Sequence, residues 1–270
     1  MSRGIRLFAT DLDGTVLIDR GSDGCHATER LKAALRALQG RGVTVCLASG
    51  RMHESIRHIG DDMGLNGPVI SYNGAMLRGS DDVLLSHRTL DPHLASEIVT
   101  LAEERGLALN YYLDGKLYAR KIQPWWDLYQ GRTSSPMVVV DSHRSLDGQA
   151  PTKLLIYAPG PVISALRDEL QPRLAGRCEL VITSDEYLEF IPLGADKGHA
   201  LADLAARLGL QPVQVAAAGD GWNDVGMLRW AGTGIAMASG RADLHAHADH
   251  VVPGPEDDGL AIWIEQELLA

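Results

Sequence analysis

The sequence predicts an α/β protein in which a doubly wound parallel sheet is joined by a second, inserted domain of α+β type. Three observations lead there. Apolar runs at residues 5–9, 43–47 and 213–218 each end in a loop of small or acidic residues, as buried parallel strands do when they deliver polar groups at their carboxyl ends. Helical periodicity lies between these runs, with glycine punctuation, which reads as right-handed strand-helix-strand units. Between about residues 86 and 190 the texture changes to paired strands separated by helices.

Taken in order, residues 28–39 put Leu31, Ala34, Leu35 and Leu38 on one helix face, and Gly40 reads as the stop. A strand then starts at Val43. The run 68–70 enters a turn, Ser71-Tyr72-Asn73-Gly74. In the middle, 94–107 reads as a helix, and 110–113 with 116–119 flank Asp114-Gly115, a strong hairpin signal. A strand at 153–157, a helix at 162–174 and a strand pair at 179–183 and 187–191 follow. Residues 201–208 form a helix before the strand from Val213. The expected division is a first core segment at 1–85, an α+β domain at 86–190 and a second core segment at 191–270.

The chemistry concentrates where strands end. Asp11-Leu12-Asp13-Gly14-Thr15 follows the first apolar run, and alternation along a strand lets Asp11 and Asp13 face one site while Leu12 turns to the core. Two such close carboxylates coexist near neutral pH only if they share a cation or share one proton, and hard oxygen ligands favour magnesium as the cation. Gly14 permits a sharp turn and Thr15 offers a local hydroxyl. Ser49-Gly50-Arg51 follows the second run and Gly219 to Asp224 the third, with Lys197 at a helix start between them. Singly, these are ordinary turn residues, a solvated lysine and an N-cap pair; their order behind strands is what points to a site.

These segments resemble the four motifs of the haloacid dehalogenase superfamily, Cof-type phosphatases: Asp11 to Thr15 the first, Ser49-Gly50-Arg51 the second, Lys197 the third and Gly219 to Asp224 the fourth. Asn73-Gly74-Ala75, Gly234 to Met237 and Glu256-Asp257-Asp258-Gly259 are further Cof-like features, and Ser49 stands where many relatives carry threonine. The resemblance implies a Rossmann-like core with a cap inserted between the second and third motifs. It implies Asp11 as nucleophile and Asp13 as general acid and base. Magnesium would be held by Asp11, the backbone carbonyl of Asp13 and Asp220. Phosphate would be bound by the amides of Leu12 and Gly50, the Ser49 hydroxyl, Lys197 and Asn223. Asp224 would orient Lys197 or a metal-bound water, and Thr15 would support the loop. Arg51 either reaches substrate or braces the loop, and Asn73 is a further candidate substrate contact.

Composition narrows the partners. With 35 acidic against 25 basic side chains the formal charge is −10, which disfavours nucleic acid and anionic membranes. Cys25, Cys46 and Cys178 are too few and too scattered for a disulfide framework, and with no signal-like or spanning apolar segment the expectation is a cytoplasmic protein. Cys46 reads as a small buried hydrophobe. His245, His247 and His250 lack a second ligand cluster and read as solvated. Trp125 and Trp126 either stack on a sugar or base or pack within the cap. The expected function is magnesium-dependent hydrolysis of a small phosphorylated metabolite, sugar phosphates first and cofactor phosphates next. A phosphomannomutase-like mutase and a non-catalytic phosphometabolite sensor are the alternatives, and oligomeric state is left open.

Overall fold

The structure, a computed structural model, describes residues 4–19, 25–122, 126–127 and 137–270. The chain divides into two compact units, Met1–Ser86 with Asp196–Ala270, and His87–Ala195. The first opens with β1 (Leu7–Thr10), a short antiparallel pair β2 (Ile18–Asp19) and β3 (Cys25–His26), α1 (Glu29–Gly40), β4 (Thr44–Ala48), α2 (His53–Met63), β5 (Val69–Ser71), β6 (Met76–Arg78) and β7 (Leu84–His87). Thr28 caps α1 by accepting the Leu31 N–H. The expected stop at Gly40 is corrected: Gly40 is still helical, and the chain reverses at Gly42, whose φ of +82° suits glycine alone.

The second unit contains α3 (Pro92–Glu104), β8 (Ala108–Leu113), β9 (Lys116–Ala119), β10 (Met137–Val139), β11 (Lys153–Tyr157), α4 (Gly160–Leu174), β12 (Glu179–Ser184) and β13 (Tyr187–Ile191). Asp91 caps α3 three residues ahead of Leu94. Asp114 and Gly115 both take positive φ, 48° and 71°, the requirement of a two-residue hairpin between β8 and β9. The sheet order is β10-β9-β8-β11-β13-β12. Leu109, Tyr111, Leu154, Ile156, Leu188 and Phe190 make its core with Leu94 and Ile98 of α3 and Ile163 and Leu166 of α4.

The chain returns to the first unit through α5 (Lys197–Arg207), β14 (Val215–Gly219), α6 (Val225–Trp230), β15 (Thr233–Met237), β16 (His250–Val252) and α7 (Gly259–Glu267). Its sheet runs β16-β15-β14-β1-β4-β5-β6-β7, parallel from β16 to β5, with β6 antiparallel to β5. Alternate residues of the central strand serve two cores: Phe8 packs with Leu35 of α1 and Ile264 of α7, Leu7 and Ala9 with Leu201 and Leu204 of α5 and Met227 of α6. Because β1 joins β4 on one side and β14 on the other, the order reverses at β1, and a crevice opens at the carboxyl ends of these three strands.

Several limits differ from expectation for local reasons. β14 starts at Val215 rather than 213 because Pro212–Gln214 forms a 3₁₀ turn. The helix expected at 201–208 begins four residues earlier, at Lys197, because Asp196 accepts the N–H groups of Gly198 and His199 and so caps it there. Among the described residues no helix is long and apolar enough to cross a membrane.

Candidate active site

Three loops of the first unit meet at the carboxyl ends of β1, β4 and β14. The Asp11 N–H donates to the Ala218 carbonyl at 2.9 Å and the Ser49 N–H to that of Ile70 at 2.9 Å, so each loop starts where the ladder stops. The Leu12 carbonyl then accepts from Thr15, Val16 and Leu17, folding the loop back, while the Leu12 side chain is buried in the core. At Gly14, φ +78°, a Cβ would lie 2.4 Å from Asp220 Oδ2. Glycine there is what lets the loop after β1 close onto the loop after β14.

Lys197 is fully buried as the first residue of α5. Its ammonium donates to Asp11 Oδ1 at 2.5 Å and to Asp224 Oδ1 at 2.7 Å. The other oxygen of Asp224 accepts from the N–H groups of Asp220, 3.0 Å, and Gly221, 2.9 Å, and the Thr15 hydroxyl donates to Asp220 Oδ1 at 3.2 Å. Carboxylate oxygens of Asp11, Asp220 and Asp224 lie within 4.8 Å of one another.

Charge in this cluster is out of balance. Burial pushes the Asp11 carboxyl well above its usual range, with Lys197 pulling the other way and Asp224 and Asp220 adding repulsion. Asp220 is pushed up to about 6 by burial and then by Asp224. Burial works against the charge on Lys197, but Asp11 and Asp224 outweigh it and hold the ammonium above its ordinary value. Three carboxylates against one ammonium leave a deficit of positive charge. Their hard oxygens suit a small divalent cation.

Asp13 departs from expectation. Its carboxylate is not among the acidic groups gathered round Asp11: it is exposed and turned to Arg51, whose Nε donates to Asp13 Oδ2 at 2.8 Å and whose terminal nitrogen donates to Oδ1. The reason is that β1 ends at Thr10, so the alternation that would align Asp11 with Asp13 has lapsed before either is reached. Arg51, left open between two roles by the sequence, braces Asp13, and also lies 3.8 Å from Cys25 Sγ.

Ser49 is buried, and its oxygen accepts the Arg51 N–H at 3.2 Å, which leaves its proton to donate elsewhere. Asn223 Nδ2 donates to Asn73 Oδ1 at 3.0 Å. Asn73 and the preceding Tyr72 both have left-handed backbone, φ 56° and 52°. For Asn this is tolerated, for Tyr it is strained by about 1–3 kcal/mol. The Asn73–Asn223 pair and the strained turn escaped the sequence reading; Asn-Gly marked a turn but not what its side chain meets.

The remaining candidates fall outside this cluster. His245 is half-buried with Nε2 3.2 Å from the Met237 carbonyl oxygen, His250 packs 5.5 Å from the Trp263 ring and His247 6.1 Å from that of Trp222. All three are half-buried, and among the described residues they form no cluster that could hold a metal. Cys46 is buried in β4, its thiol pushed up to about 12 by burial. Trp125 lies outside the described residues; the Trp126 ring centroid is 5.5 Å from the Lys121 ammonium.

Comparison with known proteins places this geometry in context. A sequence profile described as haloacid dehalogenase-like hydrolase matches residues 8–264. The chain is 29% identical over 248 residues to an HMP-PP phosphatase of Citrobacter koseri, covering 91% of this chain and 89% of that one. A haloacid dehalogenase-like hydrolase from B. subtilis superposes with a TM-score of 0.85 at 25% identity, covering 97% and 99% of the two chains. One from Bacteroides thetaiotaomicron superposes with a TM-score of 0.87 at 23% identity, with coverage of 97% and 99%.

Proposed function

The chain belongs to the haloacid dehalogenase-like hydrolases, and from that premise we propose that it is a magnesium-dependent phosphatase of small phosphorylated metabolites, sugar phosphates foremost, working through an aspartyl phosphate on Asp11. One observation carries the reading. Asp11 is a buried carboxylate at the end of the central strand, gripped by a buried ammonium and faced by two further carboxylates. A purely structural cluster would be hard to rationalise there, since so many buried like charges destabilise a fold.

Asp11 attacks phosphorus in line; its new bond to phosphorus forms as the bond to the leaving oxygen breaks. Asp13, oriented by Arg51, gives a proton to the departing alcohol and afterwards takes one from the water that hydrolyses the acyl phosphate. Lys197, the Ser49 hydroxyl, Asn223 and the amides of Leu12 and Gly50 donate to the phosphoryl oxygens, where negative charge is held as the bonds exchange. Asp224, with one oxygen on Lys197 and the other on two backbone N–H groups, orients the lysine and shapes the loop that carries Asp220. Asp11, Asp220 and the Asp13 carbonyl would hold magnesium, which when bound neutralises charge on carboxylate and phosphate alike. The unit His87–Ala195 would select the leaving group.

The relative named as an HMP-PP phosphatase supports the phosphatase class and adds HMP-PP to the compounds worth assaying. The test is turnover of a panel of phosphate esters with magnesium, quenched rapidly in acid. Phosphate should be found on the peptide containing Asp11. Label on a serine or histidine, or no turnover of any ester, overturns the reading; conversion of a hexose phosphate to its isomer without release of phosphate would indicate a mutase instead.

A further inference from the structure

The turn Tyr72-Asn73-Gly74 touches two of the loops that form the site, those after β4 and β14, and the start of α5. The Tyr72 N–H donates to the Arg51 carbonyl at 3.1 Å and the Asn73 N–H to the Ser49 carbonyl at 3.1 Å. Asn73 Oδ1 accepts from Asn223 Nδ2 at 3.0 Å. Gly74 lies directly on the backbone that starts α5, where a Cβ would come within 2.3 Å of the Asp196 carbonyl oxygen, one residue before Lys197. The Asn73 amide also covers Gly50 so closely that a Cβ there would sit 2.9 Å from Oδ1 and 3.0 Å from Nδ2.

We infer that Asn73 is a positioning residue that acts through Asn223 and so sets the geometry of the phosphate site. The physical basis is the near-symmetry of a carboxamide. An asparagine can present its oxygen or its NH₂ in the same space with little change of shape, and only the NH₂ end of Asn223 can donate to a phosphoryl oxygen. An acceptor opposite Asn223 Nδ2 decides between them: it takes one of the two Nδ2 hydrogens and commits the amide to the orientation in which the second can donate. Asn73 supplies that acceptor, and its own N–H on the Ser49 carbonyl anchors the backbone that carries it to the loop bearing Ser49 and Gly50. Two consecutive left-handed residues are what bring the backbone N–H and the side-chain oxygen of Asn73 to these different loops at once. This inference rests on the phosphatase reading for what Asn223 contacts, but the pairing itself stands on the geometry.

The experiment turns on Asn73→Gly, which keeps left-handed backbone without strain and removes only the amide. A merely structural role for the turn predicts an unchanged enzyme. The positioning role predicts a protein that still folds, its unfolding midpoint lowered only by the lost hydrogen bond, with kcat/KM on an aryl phosphate down about 10- to 100-fold, as misplacing a group by an ångström or so does. In an Asn223→Ala background the same substitution should add less than about a twofold loss, because both changes remove one interaction. Asn73→Asp keeps the accepting oxygen, so its kcat should stay within a few-fold of wild type while its added charge raises KM. Wild-type kcat/KM for Asn73→Gly, full additivity in the double variant, or a kcat for Asn73→Asp as low as that of Asn73→Gly would each overturn the inference. If wild type hydrolyses no ester, the phosphatase reading falls by itself. Calorimetric titration with inorganic phosphate then still decides the pairing, which predicts weaker binding by Asn73→Gly and is overturned by equal affinity.

Discussion

Arg51 holds both carboxylate oxygens of Asp13, while Asp11, two residues earlier, is held by Lys197. Two acids that are neighbours in sequence therefore live in opposite surroundings. Asp11 is buried among charges and Asp13 is exposed, a division that fits the roles proposed for them, a fixed nucleophile and a group exchanging protons with alcohol and water. A planar guanidinium sets the direction of a carboxylate in a way that a lysine ammonium does not.

Arg51→Lys should therefore lower kcat by about 10-fold or more with little change in magnesium affinity, because charge remains but the two-point hold on Asp13 is lost. Steady-state kinetics with magnesium titration checks this. A variant with wild-type kcat would show that the orientation of Asp13 is of no consequence.

Asp11→Asn should abolish both turnover and the phosphoenzyme. Asp13→Asn should behave differently, with turnover down roughly 10²- to 10⁴-fold and, on an ester with a good leaving group, accumulation of a hydroxylamine-sensitive acyl phosphate. Mass spectrometry of the quenched variant reads the added phosphate on the Asp11 peptide. Normal turnover by Asp13→Asn would remove it from the proton-transfer role.

Exhaustive chelation should abolish activity and magnesium should restore it, whereas calcium, with its larger and looser shell, should inhibit. Asp220→Ala should weaken magnesium roughly 100-fold or more, since even partners of metal ligands are worth 10- to 100-fold. Full activity after chelation would exclude the metal-dependent reading.

Lys197→Met should destabilise the metal-free protein by about 3–5 kcal/mol at neutral pH, because it leaves Asp11 and Asp224 buried without their ammonium. The sign of the pH dependence follows from Asp11, whose carboxyl burial already raises and which loses its main counter-charge in the variant. A carboxyl raised in the folded state contributes stability at low pH that is lost as pH rises through its folded value. The deficit of the variant relative to wild type should therefore shrink as pH falls toward 5. Denaturant unfolding of both proteins at two pH values measures it, and a deficit that grows on acidification contradicts the pairing.

The strands that carry the site were legible because each is an apolar run with a polar loop behind it, and residues 43–47 and 213–218 mark β4 and β14 to within a residue or two. The hairpin at Asp114-Gly115 was legible because only such residues accept its positive φ angles. Less regular segments were not. Met137–Val139 and His250–Val252 are three-residue strands, too short to show a period, and exist because a neighbouring strand offers them a ladder.

By itself the sequence determined the class of fold and the order of the chemical groups along it: Asp11, Ser49 and Asp220 each stand behind an apolar run, and Lys197 is singled out only by its place in that order. Which group meets which was decided only by the tertiary structure. Arg51 on Asp13, Asn73 on Asn223 and Asp224 on Lys197 join residues 38, 150 and 27 positions apart, and Asp13 left the company of Asp11 because its strand stopped at Thr10. Local patterns record the backbone's short-range preferences. A hydrogen bond between distant loops depends on how the sheet reverses at β1 and on which side chain is left facing the crevice, and that is a property of the packed molecule.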